Sequence, residues 1–214
     1  MTRTHKPLNR DRVLTAAARF ADRNGLAKLS MRKLASRLGV EAMSLYNHVR
    51  DKDDILDSLV DTVIAEIELP ARGNAWKSAM RRRAQSAREM FKRHPWAMSL
   101  MESRRNPGPA SMRYYDAVLG CLRQAGFSIP MAGHVFSALD SYIYGFVLQE
   151  QKLPFKTSQE LAVLGDEILK ALPMEQFPYF HEFIVKYALQ PEYDYGKEFE
   201  FGLDLILDAF ETRR

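Results

Sequence analysis

The stretch Leu29-Ser30-Met31-Arg32-Lys33-Leu34-Ala35-Ser36-Arg37-Leu38-Gly39-Val40-Glu41-Ala42-Met43-Ser44-Leu45-Tyr46-Asn47-His48-Val49 decides the fold. Ser30 precedes a short apolar period and suits an N-cap, because its hydroxyl can accept from the free N–H groups of the first turn. Leu34, Ala35 and Leu38 share one face of a helix over 31–38. Gly39 breaks it, and a second short helix is predicted over 41–48 with Leu45 facing inward. Leu34, Ala35, Leu38, Val40 and Leu45 can pack the pair together. The second helix keeps Ala42, Met43, Ser44, Tyr46, Asn47 and His48 on its outer face. Such a helix-turn-helix places its second helix in the major groove of duplex DNA, where base edges present distinguishable donor and acceptor patterns. Arg32 and Lys33 stand at the start of the first helix, whose dipole adds positive potential and favours nearby phosphates.

Outward from this core the chain reads as helix almost throughout. Toward the N-terminus, Val13, Leu14, Ala17, Ala18, Phe20 and Ala21 repeat at helical spacing over 9–24, and Asn24-Gly25 suits a stop. Toward the C-terminus, Asp51 caps a helix carrying Ile55, Leu56, Leu59, Val60, Val63, Ile64 and Ile67, with Asp54 at its third position. Leu69-Pro70 ends that helix. A first domain over 1–70 and a linker at Ala71-Arg72-Gly73-Asn74 follow. The second domain, 71–214, contains predicted helices over 75–93, 96–103, 109–125, 131–151, 158–171, 176–189 and 195–212. Prolines at 95, 107, 109, 130, 154, 173, 178 and 191 separate them. No internal repeat, low-complexity tract or useful alternating strand pattern occurs, so the fold class is all-α.

The 214 residues are 46% hydrophobic and 27% charged, enough apolar material for a sizeable core. No apolar run approaches the ~20 residues of a membrane span, and no apolar leader follows Met1, so the expected compartment is the cytoplasm. The one cysteine, Cys121, excludes an intrachain disulfide and a multi-cysteine metal centre. Charge is unevenly placed. Residues 1–52 hold 12 Lys and Arg against 4 Asp and Glu, a net of +8, whereas the remainder nets −4. A basic head on a slightly acidic body suits a polyanionic partner, although an uneven solvated surface has the same tally.

These residues resemble the tetracycline-repressor (TetR) family of transcriptional regulators. The matching features are the helix over 9–24, then Arg32-Lys33-Leu34-Ala35-x-x-Leu38-Gly39-Val40. Leu45-Tyr46-x-His48-Val49-x-x-Lys52, Leu56 and Leu59 follow. Further matches lie in Gln124-x-Gly126-Phe127-Ser128, Ser137-Ala138, Gly145-x-Val147-Leu148 and Phe199-x-Phe201-Gly202-Leu203-x-Leu205-Ile206. The resemblance implies a three-helix DNA-binding head and a helical ligand-binding and dimerisation body. It implies that Arg32 reads a base, most readily guanine through its fork, and that Ala42 and Met43 meet thymine methyls. Asn47 would bond a base or a phosphate. Ser44, Tyr46, His48, Lys33 and Lys52 would hold phosphates, which position the head without reading sequence. Ser30 caps its helix, touches phosphate, or does both. Tyr46 and His48 also admit purely structural roles.

One recognition helix reads too few bases for genomic specificity, so a homodimer on a palindromic double-stranded operator is expected. The helix over 131–151 carries Phe136, Leu139, Ile143 and Phe146 on a stripe. The helix over 195–212 carries Leu203, Ile206, Leu207 and Phe210, widened by Phe201 and Leu205. By resemblance these helices form a four-helix dimer interface, and the alternative is that both are core helices of a monomer. Phe91, Trp96, Leu100, Met101, Tyr115, Val118 and Leu122 are aromatic or flexible side chains of the kind that line pockets for small organic molecules. Arg105, Asp140 and Tyr144 would orient such an effector. The same residues at helical spacing also suit an ordinary core. Aligned on the matching segments, Ser141 and Gln149 fall where the tetracycline sensor has a metal-associated histidine and carboxylate. No metal or other cofactor is therefore expected, and the effector is another small organic molecule.

No Gly-rich phosphate loop, nucleophile elbow or metal-ligand spacing is present, and Cys121 reads as a buried structural thiol, which disfavours an enzyme. The expectation is a DNA-binding repressor released from its operator by its effector. The alternatives within the class are an effector-independent or an activating regulator.

Overall fold

The computed structural model describes residues 7–71, 76–104 and 108–213. The parts of the expected linker at 72–74 and the expected ligand residue Arg105 lie outside them. The described residues are helical with no strand. The head comprises α1 (Arg10–Asn24), α2 (Met31–Leu38), α3 (Ala42–Leu45) and α4 (Lys52–Ile64). The body comprises α5 (Trp76–Arg93), α6 (Ala97–Ser103), α7 (Pro109–Gln124), α8 (Ile129–Gln151), α9 (Ser158–Ala171), α10 (Pro178–Phe183) and α11 (Tyr195–Glu211).

Local chemistry fixes the boundaries. Asn9, Ser30, Asp51, Ser128, Thr157 and Asp194 each accept from a backbone N–H of the first turn they precede, so six helices start on a side-chain cap. Gly39 ends α2 in the left-handed region at φ 69°, with its N–H on Ala35 and Ser36 carbonyls and Val40 N–H returning to Ala35 O at 3.1 Å. That closure turns the chain sharply from α2 into α3. The expected helix over 41–48 shortens to Ala42–Leu45. Its flanks close by three-residue bonds, Ser44 N–H to Glu41 O and His48 N–H to Leu45 O, which wind tighter than an α-helix. Pro130, expected as a separator, lies inside the first turn of α8, where its missing N–H has no helical partner to lose. The expected helix over 176–189 starts at Pro178 and widens into a π turn over Ile184–Ala188.

A single buried core runs from Val13, Leu34 and Leu45 in the head through Leu59 and Val63 of α4 to Met80, Phe91, Val118 and Leu139 in the body. α4 is the shared wall, packing on α1 behind it and on α5, α6 and α7 ahead. Residues 158–189 depart from this pattern. Gly165 is the only buried residue of α9, and α10 has none, while Val163, Met174, Phe177, Tyr179, Phe180 and Phe183 stand exposed.

Candidate nucleic-acid interface and the body behind it

The head presents its second helix outward. Leu45 is fully buried, while Met43 is 74% exposed, Tyr46 and Asn47 are exposed, and Ala42, Ser44 and His48 are partly exposed. Arg32 and Lys33 lie exposed on the first turn of α2, and Lys52 opens α4. These side chains share one end of the molecule. The Ser30 hydroxyl caps α2 through Lys33 N–H at 3.3 Å.

A charged clamp missed in the sequence braces this end. Arg10 of α1 lays its fork on Asp54 of α4, at 2.7 and 2.9 Å, and also donates to His48 O at 3.0 Å and Ser58 Oγ at 2.7 Å. Asp54 accepts in addition from Arg50 N–H at 2.9 Å. The Arg10 hydrogen bonds outweigh burial and hold the Asp54 carboxyl at about 2, well below the usual carboxylate range. The clamp holds the carbonyl of His48 just past α3. A basic residue in the first turn of a predicted surface helix reads as a solvated charge, which is why Arg10 carried no signal.

Three aspartates four residues apart line the body-facing side of α4. Asp53 and Asp57 accept from Arg104, which follows α6, at 2.9 Å each. Asp61 accepts from the N–H groups of Ala110 and Ser111 at 3.0 and 2.8 Å and from Ser111 Oγ at 3.0 Å, so α4 supplies the cap that Gly108 cannot. A second seam joins α1 to the α5–α6 corner. His94 holds Asp22 through Nδ1 at 2.7 Å and Glu66 through Nε2 at 3.2 Å, and Trp96 Nε1 donates to Asp22 at 2.7 Å. Trp96, expected to line the effector site, is buried in this seam.

The other expected effector residues divide by burial. Phe91, Leu100, Val118 and Leu122 are sealed in the core, Met101 packs against it, and Tyr115, Asp140 and Tyr144 surround a buried polar cluster. Its centre is Arg83, which the sequence reading missed. Arg83 is fully buried on α5, donates through Nε to Tyr114 Oη at 2.7 Å, and pairs through Nη2 with Asp140 of α8. Burial pushes Tyr114 and Tyr144 above the usual phenol range, so both hydroxyls stay protonated at neutral pH. Burial also pushes the Asp140 carboxyl up, and Arg83 pulls it part of the way back. An open cleft of about 820 Å3 between Arg88, Glu150, Lys156 and Tyr195 includes none of the expected effector residues. Its walls carry many charges, with Arg88 already paired to Glu150. No cluster of three His, Cys, Asp or Glu placed to hold a metal ion occurs among the described residues.

The expected dimer stripe also divides. Leu139, Ile143, Leu203 and Leu207 are buried in the chain's own core with Phe146 at its edge, so these five offer little or no surface to a partner. They face inward because α8 packs on α5, α7 and α11 at once. Phe136, Ile206 and Phe210 are partly exposed, and Leu148, Phe201 and Leu205, with Ile129 at the start of α8, are the large apolar side chains that α8 and α11 leave in solvent. Gly202 admits Tyr142 of the same chain, whose hydroxyl donates to the carbonyls of Glu198 and Phe199 at 3.0 Å.

Comparison with known proteins follows this division. Residues 13–59 match the family model "Bacterial regulatory proteins, tetR family", and residues 69–214 match "Tetracyclin repressor-like, C-terminal domain". The HTH-type transcriptional repressor DrrR1 of Streptomyces coeruleorubidus is 32% identical, over 99% of this chain and 80% of that protein. The tetracycline repressor protein class D of Escherichia coli is 31% identical, over 96% of this chain and 90% of that protein. Among solved structures, the Streptomyces coelicolor TetR family protein ActR in complex with actinorhodin superposes with a TM-score of 0.77 at 28% identity. That match covers 97% of this chain and 98% of ActR. Its complex with (S)-DNPA gives 0.79 at 27% identity, covering 98% and 100%.

Proposed function

Because the chain belongs to the TetR family of bacterial regulatory proteins, and is a DNA-binding transcriptional regulator rather than an enzyme, we propose that it is a homodimeric repressor. In this reading it works in the cytoplasm and is released from a palindromic operator by a small organic effector bound in the body. The head is residues 1–70 and the body 71–214.

The observation that carries this reading is the row Asp53, Asp57 and Asp61. One helix carries both the packing surface for the reading head and five hydrogen bonds to the α6–α7 corner of the body. Arg32 and the α3 face read bases, with Ala42, Met43 and Asn47 on base edges. Ser30, Lys33, Ser44, Tyr46, His48 and Lys52 hold phosphates. The exposed side chains Phe201, Leu205 and Leu148, flanked by Phe136, Ile206 and Phe210, form the surface that a second copy covers. An effector that favours a shifted α6–α7 corner drags α4 through these bonds and alters the separation of the two heads. A coupling of ~1–3 kcal/mol weakens operator binding roughly 5–150-fold. The likeness to a repressor solved with actinorhodin supports an organic effector.

The test is a footprint of the purified protein on the promoter region of its own gene, followed by release with organic compounds. The expected result is two protected half-sites about 34–36 Å apart and loss of protection with at least one compound that binds the body. A single unsymmetrical site, or protection indifferent to every compound the body binds, refutes the proposal.

A further inference from the structure

Resting on the effector reading above, we infer that the effector is an uncharged planar aromatic molecule whose carbonyl oxygen meets the free Nη1 of Arg83, and that the Arg83–Asp140 pair discriminates against carboxylates of the same shape. Arg83 is fully buried, and its fork is only partly used. Nε and Nη2 reach Tyr114 Oη, and Nη2 also reaches Asp140, but Nη1 has no acceptor among the described residues. A guanidinium never gives up its proton in a protein, so Nη1 keeps two donors aimed into the core. Buried donors without partners are rare and costly, which marks this one as a place where an arriving acceptor is rewarded.

Charge decides which acceptor. Arg83 and Asp140 cancel each other, and the flanking Tyr114 and Tyr144 hydroxyls are held neutral by burial. Asp140 remains above the ordinary carboxylate range even beside Arg83, so negative charge is already poorly solvated here. A carboxylate ligand would bring a second anion against Asp140 with no second cation to match it. A carbonyl accepts the same hydrogen bond and leaves the sum at zero.

Shape follows from the walls. The Arg83 guanidinium lies 4.9 Å over the ring of Tyr114 and 5.5 Å over Phe136. Tyr115 bridges these two rings edge-on, at 5.7 and 5.8 Å between centroids, and is itself exposed, so the aromatic cluster reaches the surface at this side chain. Edge and face contacts of this kind favour a flat π system.

The test uses calorimetry on the full-length dimer with three matched compounds: fluorenone, fluorene without the carbonyl, and a fluorenone carboxylate. On the wild type, fluorenone should bind about tenfold more tightly than either of the others. In Asp140→Asn, which keeps the shape but frees the charge of Arg83, the carboxylate should become the tightest of the three. In Arg83→Met/Asp140→Leu, which removes both charges and leaves neither unpaired, the carbonyl preference should vanish while fluorene still binds. A wild type that prefers the carboxylate overturns the charge rule and leaves the effector reading standing. Retention of the carbonyl preference in the double variant overturns the role of Arg83. Binding of none of the three overturns the inference, and the release experiment above then judges the effector reading separately.

Discussion

Replacing Asp54 with asparagine removes the acceptor that Arg10 and Arg50 share, and leaves the Arg10 fork half satisfied. Hydrogen bonds to charged groups of this kind contribute about 2 kcal/mol, so chemical denaturation at neutral pH should find Asp54→Asn weaker by roughly that amount. The pH dependence has a definite sign. A carboxylate whose folded value is depressed stabilises above its unfolded value near ~3.9 and loses that contribution as the pH falls through the folded value. Wild type and variant should therefore differ fully above about pH 5 and converge as the pH approaches about 2, the folded value of Asp54. On the reading face, Arg32→Ala should cost ~1–3 kcal/mol and relax preference at one base pair per half-site, whereas Lys52→Ala should weaken all sequences alike and flatten the salt slope. Competition binding at several salt concentrations separates the two. Position 83 shows where sequence stops being legible at this scale. Within Arg81-Arg82-Arg83 each cation looks solvated, and only the spacing from Ala79 and Met80 to Ala87 and Met90 puts the third on the buried stripe.

Helix α4 is the element through which the two halves act on each other. Its aspartate row works because Gly108 lets the Asp61 carboxylate approach the start of α7; a Cβ there would lie 2.4 Å from Asp61 Cγ. Gly108→Ala should push that carboxylate off its two N–H partners, and the lost cap should cost ~1 kcal/mol. The melting temperature falls accordingly, and operator binding becomes less responsive to effector, which release titrations measure. An unchanged response would separate Asp61 from the coupling. Most elements are legible, because caps such as Ser30 and Asp51 and the apolar period of α1, α2 and α4 act within a few residues. The short α3 and the π turn at Ile184–Ala188 are not, since their winding answers to backbone closure rather than to apolar spacing. On α8 and α11 the expected stripe divides between the chain's own core and the surface for a related reason. Both helices are apolar around most of their circumference, and periodicity cannot say which side a neighbour in the same chain has already covered.

For the whole molecule, the exposed pair Phe201 and Leu205 of α11 is the most direct handle on assembly. The double substitution Phe201→Glu/Leu205→Glu adds charge where neither side chain touches the chain's own core. Sedimentation should show monomers with an intact helical spectrum, and affinity for a two-half-site operator should fall while affinity for a single half-site is unchanged. Persistence of the dimer would move the contact to the exposed aromatics of residues 158–189. The seam at Asp22, Glu66, His94 and Trp96 has a practical corollary. The indole of Trp96 is tied to α1, whereas the indole of Trp76 donates to Glu211 at 2.9 Å and packs edge-on against Phe127 at the far side of the body. With Trp76 exchanged for phenylalanine, light emission from the remaining indole would track the tilt of the head in real time, so the protein carries an optical gauge of its own switching without any attached dye.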